Sequence, residues 1–303
     1  MKTVAVYHRS VPNNKNLEKV EILQNFSAGV KRTGDTVIDV ADYNVVPTDV
    51  GVIQGWIAGE SSRPHQRLRQ QVIAAPGHTV SADSNLFLYA DTSNPEHYLR
   101  YSFDGVFPNT GIYCDSQIDP SRWQQISRDL NIALKDYRTN GNHILLCLQR
   151  NGGWSMGKYS TVDWAAQAIL QLREFTDRKI VVRAHPGDRR ARDYLGTIVE
   201  IESTLNVELS PPGRSLVDDL KDCWAAVNHN SSPVVGAAIE GVPIFVTDPE
   251  RSQCKEIANQ DLSQIESPVM YDRQSWVERL SMFHWNFDEL ANGACWNHMR
   301  NFI

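Results

Sequence analysis

The stretch Cys223-Trp224-Ala225-Ala226-Val227-Asn228-His229-Asn230-Ser231-Ser232-Pro233-Val234-Val235-Gly236-Ala237-Ala238-Ile239-Glu240-Gly241-Val242-Pro243-Ile244-Phe245-Val246 is the most informative in the chain. Ala225 to Asn228 is small and apolar and reads as a buried strand, and Pro233 to Glu240 follows as a helix. Between them, Ser231 or Ser232 is expected to cap the helix, with Pro233 in its first turn, where a missing N–H costs nothing. The open N–H groups and positive dipole end of such a helix suit a phosphate. Gly236, Ala237 and Ala238 let a helix lie close to a sheet, and Gly241-Val242-Pro243 ends it before a second strand, Pro243 to Thr247. Strand, helix and strand in this order make one unit of an α/β domain.

The same alternation extends outward. Upstream, Ile144 to Leu148 and Lys179 to Arg183 read as strands, Val162 to Phe175 and Arg189 to Glu202 as helices, and Leu216 to Trp224 as a short helix. The amino-terminal half repeats the pattern, with strands at Val4 to Tyr7, Thr36 to Val40, Val50 to Gln54 and Thr79 to Asp83, and a basic helix at Arg63 to Ala75. Asp91 to Ser121 is rich in Asn, Pro, Asp and Gly without a clear period and reads as a long loop region. A helix from Pro120 to Tyr137 then meets the polar run Arg138-Thr139-Asn140-Gly141-Asn142, the expected boundary. The expected fold class is α/β, with two Rossmann-like domains (1–139 and 140–270) facing across a cleft and C-terminal helices over 271–303 returning toward the first domain.

Composition narrows the function classes. At 303 residues the chain has room for two medium domains, and 41% hydrophobic with 22% charged residues is a globular balance. A formal charge of −6 excludes a uniformly basic nucleic-acid coat but leaves room for a local basic groove. The five cysteines are scattered, without Cys-x-x-Cys spacing, which points to a reducing cytosol and to no zinc or other metal. No run approaches the ~20 apolar residues that cross a bilayer, so no membrane partner and a cytoplasmic protein are expected.

Two further loops follow apolar strands in the second half. Arg183-Ala184-His185-Pro186-Gly187-Asp188 offers an imidazole donor and a guanidinium able to grip phosphate bidentately. Gln149-Arg150-Asn151-Gly152-Gly153-Trp154-Ser155-Met156 offers a cation, Arg150, beside two glycines, Gly152 and Gly153, that permit close backbone approach. Three phosphate-friendly loops at successive strand ends point to a nucleotide site. Each alone is also an ordinary turn of an α/β domain.

The 223–246 stretch resembles the donor domain of GT-B glycosyltransferases, and the His-Pro element looks like that of capsule-polymer, Kdo-type and sialyl transferases of that fold. The resemblance implies a metal-independent hexosyl- or pentosyltransferase with no tightly bound cofactor and a nucleotide sugar, UDP-linked by expectation, as donor. It places donor binding on Arg150, Gly152, Gly153, Arg183, His185, Ser231 and Ser232. Many GT-B families carry a ribose-binding glutamate five positions before the glycine of the G-x-P turn; that position is Gly236 here, and Glu240 is the neighbouring carboxylate that could replace it.

The amino-terminal half should then hold the acceptor and any catalytic base, because a base at a strand end can reach an acceptor hydroxyl. Asp83 is the first candidate, with Asp104 and His8 as alternatives. Arg9, Arg63, Arg67, Arg69 and Arg100, interleaved with aromatics, are candidate acceptor contacts of the kind a DNA groove uses. The overall layout is similar to phage-encoded glycosyltransferases of the TET-associated type that modify hydroxymethylpyrimidines such as hydroxymethylcytosine. That likeness implies double-stranded modified DNA as acceptor and the infected host's cytoplasm as the setting. A surface glycan or capsule-type polymer as acceptor, a nucleotide-sugar epimerase or hydrolase, and a non-catalytic nucleotide- or glycan-binding module are the alternatives.

Overall fold

A computed structural model describes the chain except residues 13–16, 90–93, 95, 158, 189 and 202–204. The chain forms two compact units, one of Met1–Asn85, Ser93–Asp129 and Glu278–Ile303, the other of Leu86–Thr92 and Leu130–Val277. The change of unit at Asp129/Leu130 comes ten residues before the 139/140 boundary expected from the sequence, and the last stretch of the first unit begins at Glu278 rather than at 271.

The first unit is built from β1 (Thr3–Tyr7), α1 (Leu17–Arg32), β2 (Thr36–Val40), β3 (Val50–Gln54), α2 (Pro64–Ile73), β4 (His78–Asp83), β5 (Leu99–Phe103) and α3 (Pro120–Asp129). β1 to β4 are mutually parallel and β5 runs antiparallel to β4. β1 is apolar from Val4 onward because both faces of the sheet are covered there. Val4 and Val6 pack with Phe26 and Trp296 on one side, and Ala5 and Tyr7 with Leu68 and Val72 on the other.

The second unit contains β6 (His143–Cys147), α4 (Thr161–Arg173), β7 (Lys179–Arg183), α5 (Ala191–Ile201), β8 (Val207–Leu209), α6 (Leu216–Leu220), β9 (Cys223–Asn228), α7 (Pro233–Ile239) and β10 (Ile244–Val246). Its five strands are all parallel in the order β10-β9-β6-β7-β8. α8 (Gln274–Ser281) is followed by β11 (His284–Trp285), α9 (Phe287–Ala291) and α10 (Ala294–Met299). β11 extends the first sheet antiparallel to β5, giving the order β11-β5-β4-β3-β1-β2. Trp296 and Leu290 enter the first unit's core.

Three expectations from the sequence change. The helix expected to run to Tyr137 stops at Asp129, since Asn131 adopts φ 51° and breaks the ladder. The region taken as a loop holds β5, whose Tyr101 and Phe103 are buried. The helix expected over Arg189 to Glu202 is α5, and the ends drawn for it lie outside the described residues. Among the described residues no helix is long and apolar enough to cross a membrane.

Candidate functional site

Parallel strands of the second unit deliver their connecting loops to one edge, where α/β folds place ligands. At that edge a cleft of about 1080 Å³ opens, walled by the His-Pro loop, one side of α5, the 209–216 segment, the start of α7 and Leu86, Leu88 and Tyr89. Of the donor candidates, Arg183, His185, Ser231 and Ser232 line it. Leu86, Leu195, Leu209, Pro211, Pro212 and Leu216 give much of the remaining wall an apolar character.

His185 is held by its own loop. Its Nδ1 accepts the Gly187 amide N–H at 2.9 Å, so the neutral ring carries its proton on Nε2. Burial, with the Arg150 charge added, lowers its pKa below the usual histidine value, against the pull of Asp188. The ring is thus a neutral donor at neutral pH. Asp188, which follows in the same loop, knots two strand ends together. It accepts from the Asn151 amide at 2.9 Å, from the Tyr194 hydroxyl at 2.6 Å and from the Arg190 amide at 3.0 Å. These bonds outweigh its partial burial and hold its carboxyl below the usual range.

The Gln149–Met156 loop stands beside the cleft rather than in its wall. Gln149 is buried and bridges Ser155 Oγ at 2.8 Å and the Asn230 amide at 3.3 Å, which ties the loop to the end of β9. Gly152 has φ 70° with open space around it, and Arg150 is exposed and near enough to His185 to act on its titration.

The expected serine cap is corrected. Ser232 sits at the helix start with φ −64° and ψ −21°, already helical, so its hydroxyl makes no capping bond. Ser231 Oγ instead accepts from Asn228 Nδ2 at 2.9 Å. Arg183 also differs from expectation, because its Nη1 donates to Asp219 Oδ2 and, at 2.8 Å, to the Arg214 carbonyl. A bidentate phosphate grip is not its resting arrangement.

Glu240 ends α7 and is not part of the cleft wall. Its Oε2 takes Lys135 Nζ at 2.5 Å and stands 3.9 Å from Arg138, while Oε1 accepts from the Tyr89 hydroxyl at 3.1 Å. The Tyr89 ring lies directly on Gly236, where a Cβ would come within 2.4 Å of it. Tyr89 therefore fills the position at which a longer side chain would project, and the glycine is there because the ring is.

In the first unit, the carboxyl ends of the parallel strands gather His8, Gln54 and Asp83. Asp83 Oδ2 receives Arg100 Nη2 at 2.8 Å, and Oδ1 accepts the Ser84 amide at 2.7 Å. His8 Nε2 pairs with Asp39 at 2.8 Å, and Arg9 Nε donates to the Ala41 carbonyl at 3.0 Å. Arg69 is buried, with Nε on the Ser10 carbonyl at 2.7 Å and Nη2 near Gln54 at 3.3 Å; burial lowers its pKa to about 10 despite the Asp83 charge. Arg69 is a strut and not an open phosphate contact. Arg67 is exposed on α2, and Arg63 is exposed at its N-cap. Asp104 falls at the other end of β4, bonded to His78 Nδ1 at 2.6 Å and to the Thr79 amide at 2.8 Å. This separates it from Asp83 by the length of the strand. Among the described residues no cluster of three or more His, Cys, Asp or Glu side chains has the arrangement of a metal site.

Sequence reasoning missed Asp188, Asp219, Arg214 and Tyr89. Asp188 stood in a quoted motif, but its partners come from other loops, and Tyr89 lies more than a hundred residues from the glycine it covers.

No family model matches the chain, and no curated protein sequence matches it. Solved structures do. Thermosulfurimonas dismutans KpsC, beta Kdo 2,4 transferase, aligns over 95% of this chain and 98% of its own with 13% identity and a TM-score of 0.56. The beta Kdo 2,7 transferase of the same organism's KpsC aligns over 100% and 99% with 12% identity and a TM-score of 0.54. At such identities the likeness is one of fold: two Rossmann-like units, as expected from the sequence.

Proposed function

We propose that the protein is a glycosyltransferase that binds a nucleotide sugar in the cleft of the second unit and passes the sugar to a hydroxyl of a saccharide acceptor. The observation that carries this reading is the meeting of a neutral His185 Nε2–H donor, the Arg183–Arg214 cation pair and the Ser231–Ser232 turn in one large, half-apolar cleft at the strand ends. An apolar wall accepts a nucleobase, and the donors accept the charge that grows on the departing phosphate as the glycosidic bond breaks. A uridine diphosphate donor is the first to try. The names of the two similar structures, both Kdo transferases, support a glycan acceptor.

Asp83 is the proposed base for the acceptor hydroxyl. Each of its oxygens accepts one hydrogen bond, from Arg100 or from the Ser84 amide, and keeps a lone pair for a proton. The DNA acceptor expected from the sequence loses support, because Arg69 and Arg100 are engaged within the unit, which leaves Arg9, Arg63 at the α2 N-cap and Arg67 on α2 as the exposed candidates.

The experiment is a mass-spectrometric transfer assay with a panel of nucleotide sugars, offered oligosaccharides in one arm and hydroxymethylated duplex DNA in the other. Mass addition to a saccharide is expected. Addition to DNA alone would reverse the acceptor assignment, and hydrolysis or epimerisation without acceptor would replace the transferase reading.

A further inference from the structure

Asp219 lies in α6 with its side chain 1% exposed, and three side chains from two segments, the end of β7 and the 210–214 loop, converge on it. Arg183 Nη1, at the end of β7, donates to Oδ2. Arg214 Nε stands 3.1 Å from Oδ1. Ser210 Oγ is 2.8 and 2.7 Å from the two oxygens. The loop between Ser210 and Arg214 is closed further by the bond from Arg183 Nη1 to the Arg214 carbonyl and by Arg214 Nη2 on the Asp218 carbonyl at 3.0 Å.

Burying a carboxylate is costly even when it is paired, and apolar residues of similar volume often serve stability as well. Two guanidinium groups on one such carboxylate call for another explanation. Ser210, Arg214, Ser215 and Arg183 all line the donor cleft. The two arginines differ in posture: the Arg183 side chain is 16% exposed and that of Arg214 44%. Arg183 is turned in on Asp219, whereas Arg214 keeps a large part of its side chain open where it lines the cleft, with Asp188 elsewhere on the same wall.

We infer that Asp219 is a positioning residue of the donor site, which clamps the Ser210–Arg214 loop to the end of β7 so that Arg214 presents its guanidinium to an anionic group of the nucleotide sugar. The inference rests on the donor reading above. Arg183 becomes the brace and Arg214 the contact, which reverses the weight the sequence gave to Arg183. A cation fixed in place before the ligand arrives spares the ordering cost that a free arginine would meet on binding. Asparagine at 219 would keep the shape of the side chain but withdraw the charge, leaving the two guanidinium groups to repel each other and the loop to open.

Calorimetric titration with UDP and with CMP as probes, on the wild type, Asp219→Asn, Asp219→Glu and Arg214→Gln, tests this. In the wild type at least one nucleotide binds, and its Kd rises with salt. Asp219→Asn and Arg214→Gln each weaken that binding by about tenfold or more, the scale of a lost charge-assisted contact. Asp219→Glu recovers part of the loss. In the transfer assay kcat/KM for the donor falls by at least the factor lost in nucleotide binding, because the same cation meets the charge that grows on the departing phosphate. Arg214 is half exposed, so Arg214→Gln decides the matter even where Asp219→Asn fails to fold. Unchanged nucleotide affinity in Arg214→Gln, or in a folded Asp219→Asn, overturns the inference while the donor reading stands. A wild type that binds neither probe nor any nucleotide sugar of the panel overturns the donor reading, and the inference with it.

Discussion

Arg100 and Asp83 are direct partners across the antiparallel pair β4–β5, with Nη2 2.8 Å from Oδ2. A candidate acceptor contact and the candidate base are thus each other's counterion, and the arginine orients the carboxylate instead of reaching for a polyanion. Asp83→Asn keeps most of the hydrogen-bonding shape but cannot take a proton. It is expected to lower kcat by about 10²–10⁴ with donor KM little changed. Asp104→Asn, at the other end of β4, should leave kcat within a few-fold, and the transfer assay on both variants separates the two carboxylates.

Arg69 is expected to matter for stability and not for acceptor binding. Arg69→Ala removes a buried side chain and leaves the Ser10 carbonyl and Gln54 without their donor, which should cost about 3 kcal/mol. Arg63→Ala, at the α2 N-cap where its side chain makes no capping bond, and Arg67→Ala, exposed on α2, should stay within about 0.5 kcal/mol. Urea unfolding of the three variants checks the contrast.

His284 is fully buried, with Nδ1 2.7 Å from the Leu280 carbonyl. Burial, aided by the Arg100 and Arg122 charges and opposed by that bond, lowers its pKa to about 3. The unfolded chain, with an ordinary histidine pKa near 6.5, takes up a proton first as pH falls. Its contribution to stability is therefore complete above about pH 6.5 and is lost progressively between there and pH 3. His284→Asn, which keeps a donor for Leu280, should reduce the loss of unfolding free energy between pH 7 and pH 5 by about 2 kcal/mol. Denaturant unfolding at the two pH values measures it.

Gly236 and Tyr89 should prove coupled. Gly236→Ala puts a methyl 2.4 Å from the ring and is expected to cost about 2–3 kcal/mol through overpacking. Tyr89→Phe gives up only the hydroxyl bond to Glu240, about 1 kcal/mol. Tyr89→Gly, which removes the Cβ 2.5 Å away as well as the ring, should make Gly236→Ala nearly free of further cost, and a double-mutant cycle reads the coupling.

Local signals carried the sequence reading far. The apolar runs of β1, β3, β6 and β7 and the Pro233 helix start are written within a few residues each, because strands buried on both faces and helix termini are local facts. β11 was illegible because it is two residues long and pairs with a strand far upstream, and β5 because it is short and lies within a stretch rich in turn residues, although it pairs with the preceding strand. At the site, the His-Pro loop was legible from strand-end logic alone. The commitments of Arg183 to Asp219, Arg69 to Ser10 and Asp83 to Arg100 were not, since a sequence shows which charges exist and not which of them already satisfy one another.

The Tyr89 ring on Gly236 has a bearing on how this protein can be cut and recombined. The piece that completes the α7 wall is encoded among the strands of the first unit, far upstream of the rest of its own unit. A gene fragment spanning Leu130 to Val277 would leave out Leu86, Leu88 and Tyr89, strip the cover from Gly236 and release Glu240 from its phenol. The second unit is therefore not a transplantable cassette: a graft would have to carry two separated segments together, or bring a half-walled cleft.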